Sequence, residues 1–123
     1  MKILFADDSS VVRNATVGWL EELGHEVVAV SDGESALKAL KKGAEFDVLV
    51  TDYNMPPGIN GLELMKAVKQ FRPTMRAIMC AFNAPKKVEK EVRALGEYFV
   101  PKGLNTLEDV LREIEQSLKP KAG

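Results

Sequence analysis

The sequence predicts a doubly wound α/β fold, in which a parallel sheet carries helices on both faces. Five short runs rich in apolar and β-branched residues recur along the 123-residue chain. Segments with helical spacing separate these runs. Strands that alternate with helices of this length favour parallel pairing through right-handed crossovers. The length suits a single compact domain with its own core.

The five apolar runs are expected to form strands that are buried on both faces of the sheet. They lie at residues 3–5, 27–30, 48–50, 77–79 and 98–100. Cys80, the single cysteine, directly follows the fourth run and is therefore predicted to be buried.

Helical spacing is clearest in the last segment, where apolar residues recur at i, i+3, i+4, i+7 and i+11. This stripe consists of Leu107, Val110, Leu111, Ile114 and Leu118. Shorter stripes predict the first, third and fourth helices. They consist of Val12, Thr16, Leu20 and Leu23, of Leu64, Met65 and Val68, and of Val88, Val92 and Leu95.

Turn and capping residues predict where the helices begin and end. Gly24 and Gly43 are expected to follow the first and second helices, and the pair Ser31-Asp32 is expected to cap the second. Thr106, with Asp109 three residues later, resembles a capping box and predicts the start of the fifth helix.

Composition and charge exclude several functional classes. A formal net charge of -1 produces no overall field that would attract nucleic acid or an anionic membrane. The single cysteine indicates a reducing compartment, and the first strand leaves no room for a signal peptide. No apolar run approaches the roughly 18 residues of a membrane-spanning helix. We therefore expect a cytoplasmic protein that binds neither nucleic acid nor membrane.

Four polar residues follow strands of the predicted sheet. Asp7 and Asp8 end the first strand, Asp52 ends the third, and Lys102 lies just past the fifth. Each aspartate alone is better explained as a helix cap or loop residue, but strand carboxyl ends in such sheets converge on one crevice, and this convergence favours a site. Three carboxylates at one edge would repel unless a cation lay among them, and oxygen ligands favour Mg²⁺ or Mn²⁺. Lys102 could neutralise a phosphate, and an aspartate between metal and lysine is a competent nucleophile.

Two stretches of the sequence resemble a known family. They are ILFADDSS at positions 3–10, and DYNMP at 52–56 followed by GLEL at 61–64. Both are similar to the receiver domain of bacterial two-component response regulators, of the chemotaxis-regulator type. The resemblance covers residues 1–119, and residues 120–123 are expected to be a polar tail or the start of a linker. It implies a flavodoxin-like (βα)5 fold with strand order 2-1-3-4-5.

The resemblance also implies the role of each site residue. Asp52 would be the phosphoacceptor, and Lys102 would contact the phosphoryl group. Asp8 would bind Mg²⁺ directly and Asp7 directly or through water. Asp52 and the backbone carbonyl of Asn54 would complete the ligands. Mn²⁺ is expected to substitute for Mg²⁺.

The family likeness further implies how such a domain acts. The phosphoryl group would come from a histidine kinase, a phosphotransfer protein or a small donor such as acetyl phosphate. Transfer and slow autodephosphorylation would be catalysed by the domain itself, which is not a dedicated enzyme. Helix four, strand five and helix five would present the surface that regulates a downstream protein or an attached output domain. Family members also dimerise through this surface, so a homodimer is one of the assemblies that the resemblance allows.

Two neighbouring residues depart from the family pattern. Ala81 stands where the family has the Thr or Ser whose hydroxyl contacts the phosphoryl group, a hydrogen bond worth about 1.5–3 kcal/mol. Phe82 replaces a small residue, and it could either shield the pocket or lie as an ordinary rim aromatic. Phosphorylation is expected to survive while conformational coupling weakens. The aromatic switch position falls on Phe99, with Tyr98 as the alternative.

Two further departures concern loops. The loop at residues 56–61 is one residue longer than in the family, which could change access to Asp52. Lys102 is followed by Gly103 rather than by the proline that often forms a cis bond there, so its placement depends on a different backbone.

Three alternatives to a phosphorylation switch remain from the sequence. The first is a pseudo-receiver, a phosphate-independent interaction module that lacks the switch hydroxyl at Ala81. A Mg²⁺-dependent phosphatase is disfavoured because such enzymes place their two acids two residues apart on the first strand, whereas Asp7 and Asp8 are adjacent. A flavin or dinucleotide binder is disfavoured because no glycine-rich loop follows the first strand.

Overall fold

The computed structural model describes residues 1–102 and 104–118, the latter without the side chains at positions 104 and 105. Five strands and five helices alternate along the chain. The strands are β1 (Lys2–Ala6), β2 (Glu26–Val30), β3 (Val48–Thr51), β4 (Arg76–Ala81) and β5 (Tyr98–Pro101). The helices are α1 (Ser10–Glu22), α2 (Gly33–Lys41), α3 (Gly61–Phe71), α4 (Lys86–Ala94) and α5 (Leu104–Leu118).

The strands form one parallel sheet in the order β2-β1-β3-β4-β5. This order places β1 and β3 at the centre and confirms the predicted doubly wound, flavodoxin-like fold. All five strand carboxyl ends therefore lie at one edge of the sheet, where ligands bind in such folds.

Alternate residues of the central strands point into two separate cores, because successive side chains of a strand face opposite sides. One core packs under α2, α3 and α4, and it receives Leu4 from β1 and Leu49 from β3. The other packs under α1 and α5, and it receives Ile3, Val48 and Val50. Helices thus cover both faces of the sheet, as predicted.

The outer strands are less buried than predicted. The central runs at residues 3–5, 48–50 and 77–79 are buried, as is Cys80. In β2, however, Glu26, Val28 and Ala29 are exposed, and in β5 only Val100 is fully buried. β2 and β5 lie at the sheet edges and pack against helices over less of their surface. Burial on both faces was therefore a correct prediction for the centre of the sheet and wrong for its edges.

Most predicted helix ends are confirmed. Gly24 and Gly43 follow α1 and α2 with φ of +93° each, a conformation that glycine adopts at little cost. Asp32 caps α2, since its carboxylate accepts a hydrogen bond from the Ser35 N–H at 2.7 Å. The Thr106 capping box was wrong, because α5 already begins at Leu104 and includes that residue.

The predicted apolar stripes face the two cores, except at some helix ends. The buried members include Thr16, Leu20, Leu64, Met65, Val68, Val88, Val92, Leu107, Leu111 and Ile114. Leu23 and Leu118, the last members of the first and fifth stripes, are exposed because the sheet no longer lies beneath them. Within the described residues, no helix combines the length and apolar character needed to cross a bilayer.

A buried carboxylate links three elements at the amino end of the sheet. Glu97, just before β5, accepts from Lys69 Nζ of α3 at 2.9 Å and from Arg76 Nε of β4 at 2.8 Å. Its side chain is 1% exposed. Two cations thus compensate one buried charge, which burial would otherwise strongly disfavour.

We predict that Glu97→Ala lowers the free energy of unfolding by about 2–3 kcal/mol. This is below the 3–5 kcal/mol typical of a fully buried pair because Lys69 and Arg76 remain partly hydrated. Urea unfolding measures the change. Glu89→Ala, which removes an exposed pair with Arg93, is the control and should change it by at most about 0.5 kcal/mol. Equal effects of the two substitutions would contradict a structural role for Glu97.

Candidate functional site

Backbone hydrogen bonds between neighbouring strands continue one residue past the ends of β3 and β5. They hold the backbone of Asp52 and Lys102 in place. The Asp52 N–H donates to the Ala6 carbonyl at 3.0 Å, and the Lys102 N–H donates to the Ala81 carbonyl at 3.2 Å. Asp7 follows Ala6 directly. The carboxylates and the lysine therefore project from the ordered edge of the sheet, as predicted.

Asp7 is the most enclosed of the predicted site residues, with 1% of its surface exposed. Its Oδ1 accepts the Ser9 N–H at 2.9 Å, and its backbone carbonyl accepts from Arg13 Nη1 at 2.8 Å. Its Oδ2 accepts from Lys102 Nζ at 3.1 Å. These contacts hold a buried carboxylate in one orientation.

Lys102 joins the carboxylates of two strands. Its Nζ donates to Asp52 Oδ2 at 3.1 Å, the same distance as to Asp7 Oδ2. The second oxygen of Asp52, Oδ1, accepts the Tyr53 N–H at 2.8 Å. The structure thus brings Asp7, Asp52 and Lys102 into one hydrogen-bonded group.

Burial and neighbouring charges shift the pKa values of Asp52 and Lys102 in opposite directions. Burial raises the pKa of the Asp52 carboxyl above its usual value, although the hydrogen bond and charge of Lys102 oppose the rise. Burial lowers the pKa of the Lys102 ammonium, but hydrogen bonds and charges from Asp52 and Asp7 outweigh it, so that pKa is raised. Lys102 is therefore firmly protonated, while burial leaves the ionised form of Asp52 less favoured than it would be in water.

Asp8 completes an acidic cluster. One carboxylate oxygen each from Asp7, Asp8 and Asp52 lies within 4.8 Å of the others. Asp8 is exposed, whereas the other two are enclosed. Carboxylate oxygens are the donors that Mg²⁺ prefers, and an exposed member leaves room for water ligands. The donor set fits a magnesium ion, in agreement with the sequence prediction.

A cleft of about 280 Å³ opens beside Asp52. Tyr53, Asn54, Ala81, Phe82, Asn83, Ala84 and Lys102 line it with Asp52. Asn54 thus lies beside the acceptor, as the predicted ligand position requires. Ala81 is buried at the end of β4, and Phe82 extends into solvent with 73% of its surface exposed. Phe82 thus lies at the rim of this cleft and also forms part of its lining.

Phe99 and Tyr98 lie on opposite faces of β5. Phe99 packs against the core under α2, α3 and α4. Tyr98 packs against the other core, and its hydroxyl lies 3.4 Å from Glu113 of α5. The predicted switch position, Phe99, is therefore the aromatic that shares a core with Ala81.

The lengthened loop at residues 56–61 turns away from the acceptor cleft. Its Ile59 N–H donates to Glu34 Oε1 of α2 at 2.9 Å, and Asn60 forms a capping box with Glu63 at the start of α3. Gly61 then passes so close to Asp52 that an added Cβ would collide with the Asp52 carbonyl oxygen. The loop does not contribute to the cleft lining, so the predicted change in access to Asp52 finds no support in this geometry.

Sequence reasoning missed two supporting residues. Arg13 holds the Asp7 carbonyl, and Glu34 anchors the loop that follows the acceptor. An arginine or glutamate in the first turns of an amphipathic helix carries no distinguishing signal, since such residues usually face solvent. Gly103 lies outside the described residues, as does the boundary predicted at 119–120.

The domain has a flavodoxin-like sheet, and three aspartates and a lysine lie at the carboxyl edge of that sheet. It is therefore an α/β module with an acidic, metal-compatible pocket. The model of the response regulator receiver domain matches residues 3–115, and the chain belongs to this family of two-component and chemotaxis regulators. The resemblance predicted from the sequence is confirmed.

Relatives and solved structures agree with this assignment. Chemotaxis protein CheY-3 of Vibrio cholerae is 37% identical over 95 residues, which cover 76% of this chain and 72% of that protein. Protein-glutamate methylesterase/protein-glutamine glutaminase 2 of Caulobacter vibrioides is 35% identical over 96 residues, 77% of this chain. The chain matches only 27% of that longer protein's length.

Among solved structures, response regulator protein TrrA from Thermotoga maritima was crystallised in complex with Mg(2+)-BeF. It superposes with a TM-score of 0.80 at 26% identity. The match covers 92% of this chain and 97% of that one.

The close approach of Gly61 to Asp52 gives a test of the site's backbone. Gly61→Ala should lower the free energy of unfolding by about 1–3 kcal/mol, because the added methyl group must displace the Asp52 carbonyl. Gly18→Ala in α1 is the matched control, since nothing lies within 4 Å of its added Cβ. It should stabilise the protein by about 0.5–1 kcal/mol. Chemical denaturation measures both, and two effects of the same sign would contradict the described loop.

Proposed function

We propose that this domain is a phosphorylation-dependent signalling module that accepts a phosphoryl group on Asp52. One observation carries the proposal. The Lys102 ammonium contacts both Asp52 and Asp7 at 3.1 Å, while three carboxylates share the same edge of the sheet. An aspartate beside a fixed cation and a metal-compatible cluster has the groups that phosphoryl transfer requires.

The chain's own residues would divide the work as follows. Asp52 supplies a carboxylate oxygen as the nucleophile toward phosphorus, and the Tyr53 N–H orients the carboxylate. Lys102 neutralises charge that develops on the transferred phosphoryl oxygens. Asp7, held by Ser9 and Arg13, keeps Lys102 in place. Attack forms the bond between the Asp52 oxygen and phosphorus and breaks the bond from phosphorus to the donor, which leaves with the electron pair.

Magnesium is the expected cofactor, with Mn²⁺ able to substitute. Asp7, Asp8, Asp52 and the backbone carbonyl of Asn54 would hold it. When bound, the ion neutralises phosphoryl oxygens and offsets the mutual repulsion of the carboxylates. TrrA, which shares this fold, was crystallised with Mg(2+)-BeF, and this supports the same ligand chemistry here.

The remaining features of the function are part of the same proposal. The phosphodonor would be a histidine kinase, a phosphotransfer protein or a small acyl phosphate, and the domain would act in the cytoplasm. The α4–β5–α5 face would bind a downstream protein or a second copy. Lys86, Lys87, Lys90 and Arg93 give α4 an exposed basic side that suits an acidic surface. Apart from its own phosphorylation and slow dephosphorylation, the domain would have no dedicated enzymatic activity.

A second candidate is a pseudo-receiver that binds partners without phosphate. The observation that favours it is Ala81, which is buried at the end of β4 and offers no hydroxyl to a phosphoryl group. The acidic cluster and Lys102 are retained, however, and an interaction module alone would not need them. Phosphoryl acceptance distinguishes the two candidates.

We predict that acetyl phosphate with Mg²⁺ adds one phosphoryl group to the protein, and that Asp52→Asn abolishes the addition. Intact-mass spectrometry measures it, with EDTA as the metal-removal control. Asp109→Asn, an equal charge change on an exposed position of α5, should retain the addition. An unmodified wild-type protein would leave the pseudo-receiver as the better account.

Mg²⁺ should also stabilise the folded protein. At about 100 times the dissociation constant, a ligand that binds only the native state adds about 2.7 kcal/mol to the free energy of unfolding. Asp8→Asn should remove most of this gain while the fold stays intact, because Asp8 is exposed. Thermal unfolding with and without Mg²⁺ measures the effect. A gain in Asp8→Asn as large as in Asp109→Asn would exclude the acidic cluster as the binding site.

A further inference from the structure

Phe82 is an exposed aromatic residue directly beside the proposed phosphoacceptor site. Among the large apolar residues that the structure describes as exposed, it is second only to Val11. Leaving an aromatic ring in water forgoes a large hydrophobic gain. This ring does contact a cation, because its centroid lies 5.1 Å from Lys102 Nζ. This distance is within the range of a cation–π interaction.

The surroundings of the Lys102 ammonium show what this contact adds. An ammonium group has three N–H donors, and Asp7 and Asp52 each accept one hydrogen bond from it. With the ring as a third neighbour, the lysine side chain is only 16% exposed. The ring therefore limits the directions in which a long, flexible side chain can move away from Asp52.

Phe82 also stands between two cavities. On one side lies the Asp52 cleft, and on the other lies a mostly apolar cavity of about 240 Å³. Its lining consists of Phe5, Asp7, Val12, Thr16, Cys80, Phe82, Lys102 and Leu107. Phe82 and Lys102 are the two residues that line both cavities. The ring and the ammonium thus border both the acceptor cleft and the apolar cavity.

We propose that Phe82 is a positioning residue that holds the Lys102 ammonium over Asp52 through its ring face. This inference rests on the proposed phosphoacceptor function. It assigns to Phe82 a part of the restraint that Ala81 cannot supply, but through the cation rather than through the phosphoryl group. The ring makes no contact with the reacting atoms and acts only through Lys102.

The contact can be measured without any phosphorylation. A ring 5.1 Å from Nζ shields the nearby Lys102 methylene protons through its ring current, so their NMR signals should lie upfield. Phe82→Leu should move these signals downfield, and Phe82→Tyr, which retains the ring, should leave them in place. Signals that do not respond to Phe82→Leu would overturn the contact itself. Because Phe82 is a rim residue, the substitution is not expected to unfold the protein.

The functional consequence is read from beryllofluoride binding in the presence of Mg²⁺. Phe82→Leu should weaken binding about threefold to tenfold, as expected for losing one partly hydrated cation–π contact. Phe82→Tyr, which keeps an aromatic ring at this position, should bind beryllofluoride with wild-type affinity. Phe71→Leu is the matched control, since Phe71 is a half-exposed aromatic of α3 beside Arg72 and should leave binding unchanged. Equal affinity of wild type and Phe82→Leu would overturn the inference.

Fluorinated phenylalanines at position 82 test whether the ring acts by electrostatic attraction to the Lys102 ammonium or only by shielding it from solvent. Each added fluorine withdraws electron density from the ring face and weakens its attraction for a cation, while the ring stays apolar. Beryllofluoride affinity should fall stepwise with the number of fluorines, and a flat series would overturn a cation–π role. If wild-type protein binds no beryllofluoride and accepts no phosphoryl group, the proposed function fails, and the positioning role fails with it. If wild type binds and only the Phe82 series is flat, the positioning role alone fails.

Discussion

The contact of one ammonium with two carboxylates is the constraint on which the carboxyl edge of this sheet depends. Lys102 follows β5, whereas Asp52 follows β3 and Asp7 follows β1. Because β4 lies between β5 and β3, the lysine side chain must pass over the end of β4 to reach Asp52. The strand order thus determines which strand ends this contact connects.

Two buried ionic groups among the described residues lie at opposite ends of the sheet and differ in charge balance. At the amino end, Glu97 meets both Lys69 and Arg76, so the anion is fully compensated. At the carboxyl end, Lys102 pairs with Asp7 and Asp52, and the carboxylate of Asp8 lies in the same cluster. Uncompensated buried charge costs stability, and strongly perturbed ionisable groups cluster at functional sites. The carboxyl end, unlike the amino end, therefore has an excess of negative charge that a bound cation would offset.

The sequence predicted those features that arise from repeated or convergent patterns. Alternating apolar runs identify the strands, and aspartates that follow two of them converge because parallel carboxyl ends meet. Burial of the edge strands was overestimated, because a run such as residues 27–30 has the same composition whether it lies centrally or at an edge. The beginning of α5 was misplaced because Thr106 and Asp109 match a cap signature even inside a helix. The roles of Arg13 and Glu34 depend on long side chains meeting distant backbone groups, and no local pattern records such contacts.

At positions 81 and 82, a contact between an aromatic ring and Lys102 stands in place of a contact between a hydroxyl and the phosphoryl group. A hydroxyl at position 81 would contact the phosphoryl group itself, and its movement would accompany phosphorylation. The Phe82 ring instead contacts the Lys102 ammonium, which lies beside Asp52 in the absence of any phosphoryl group. A contact that restrains Lys102 equally before and after phosphorylation can strengthen binding at the site. Such a contact does not by itself shift an equilibrium between conformations. If Asp52 accepts a phosphoryl group as proposed, a conformational switch would then rest on contacts that change when the charge on Asp52 changes.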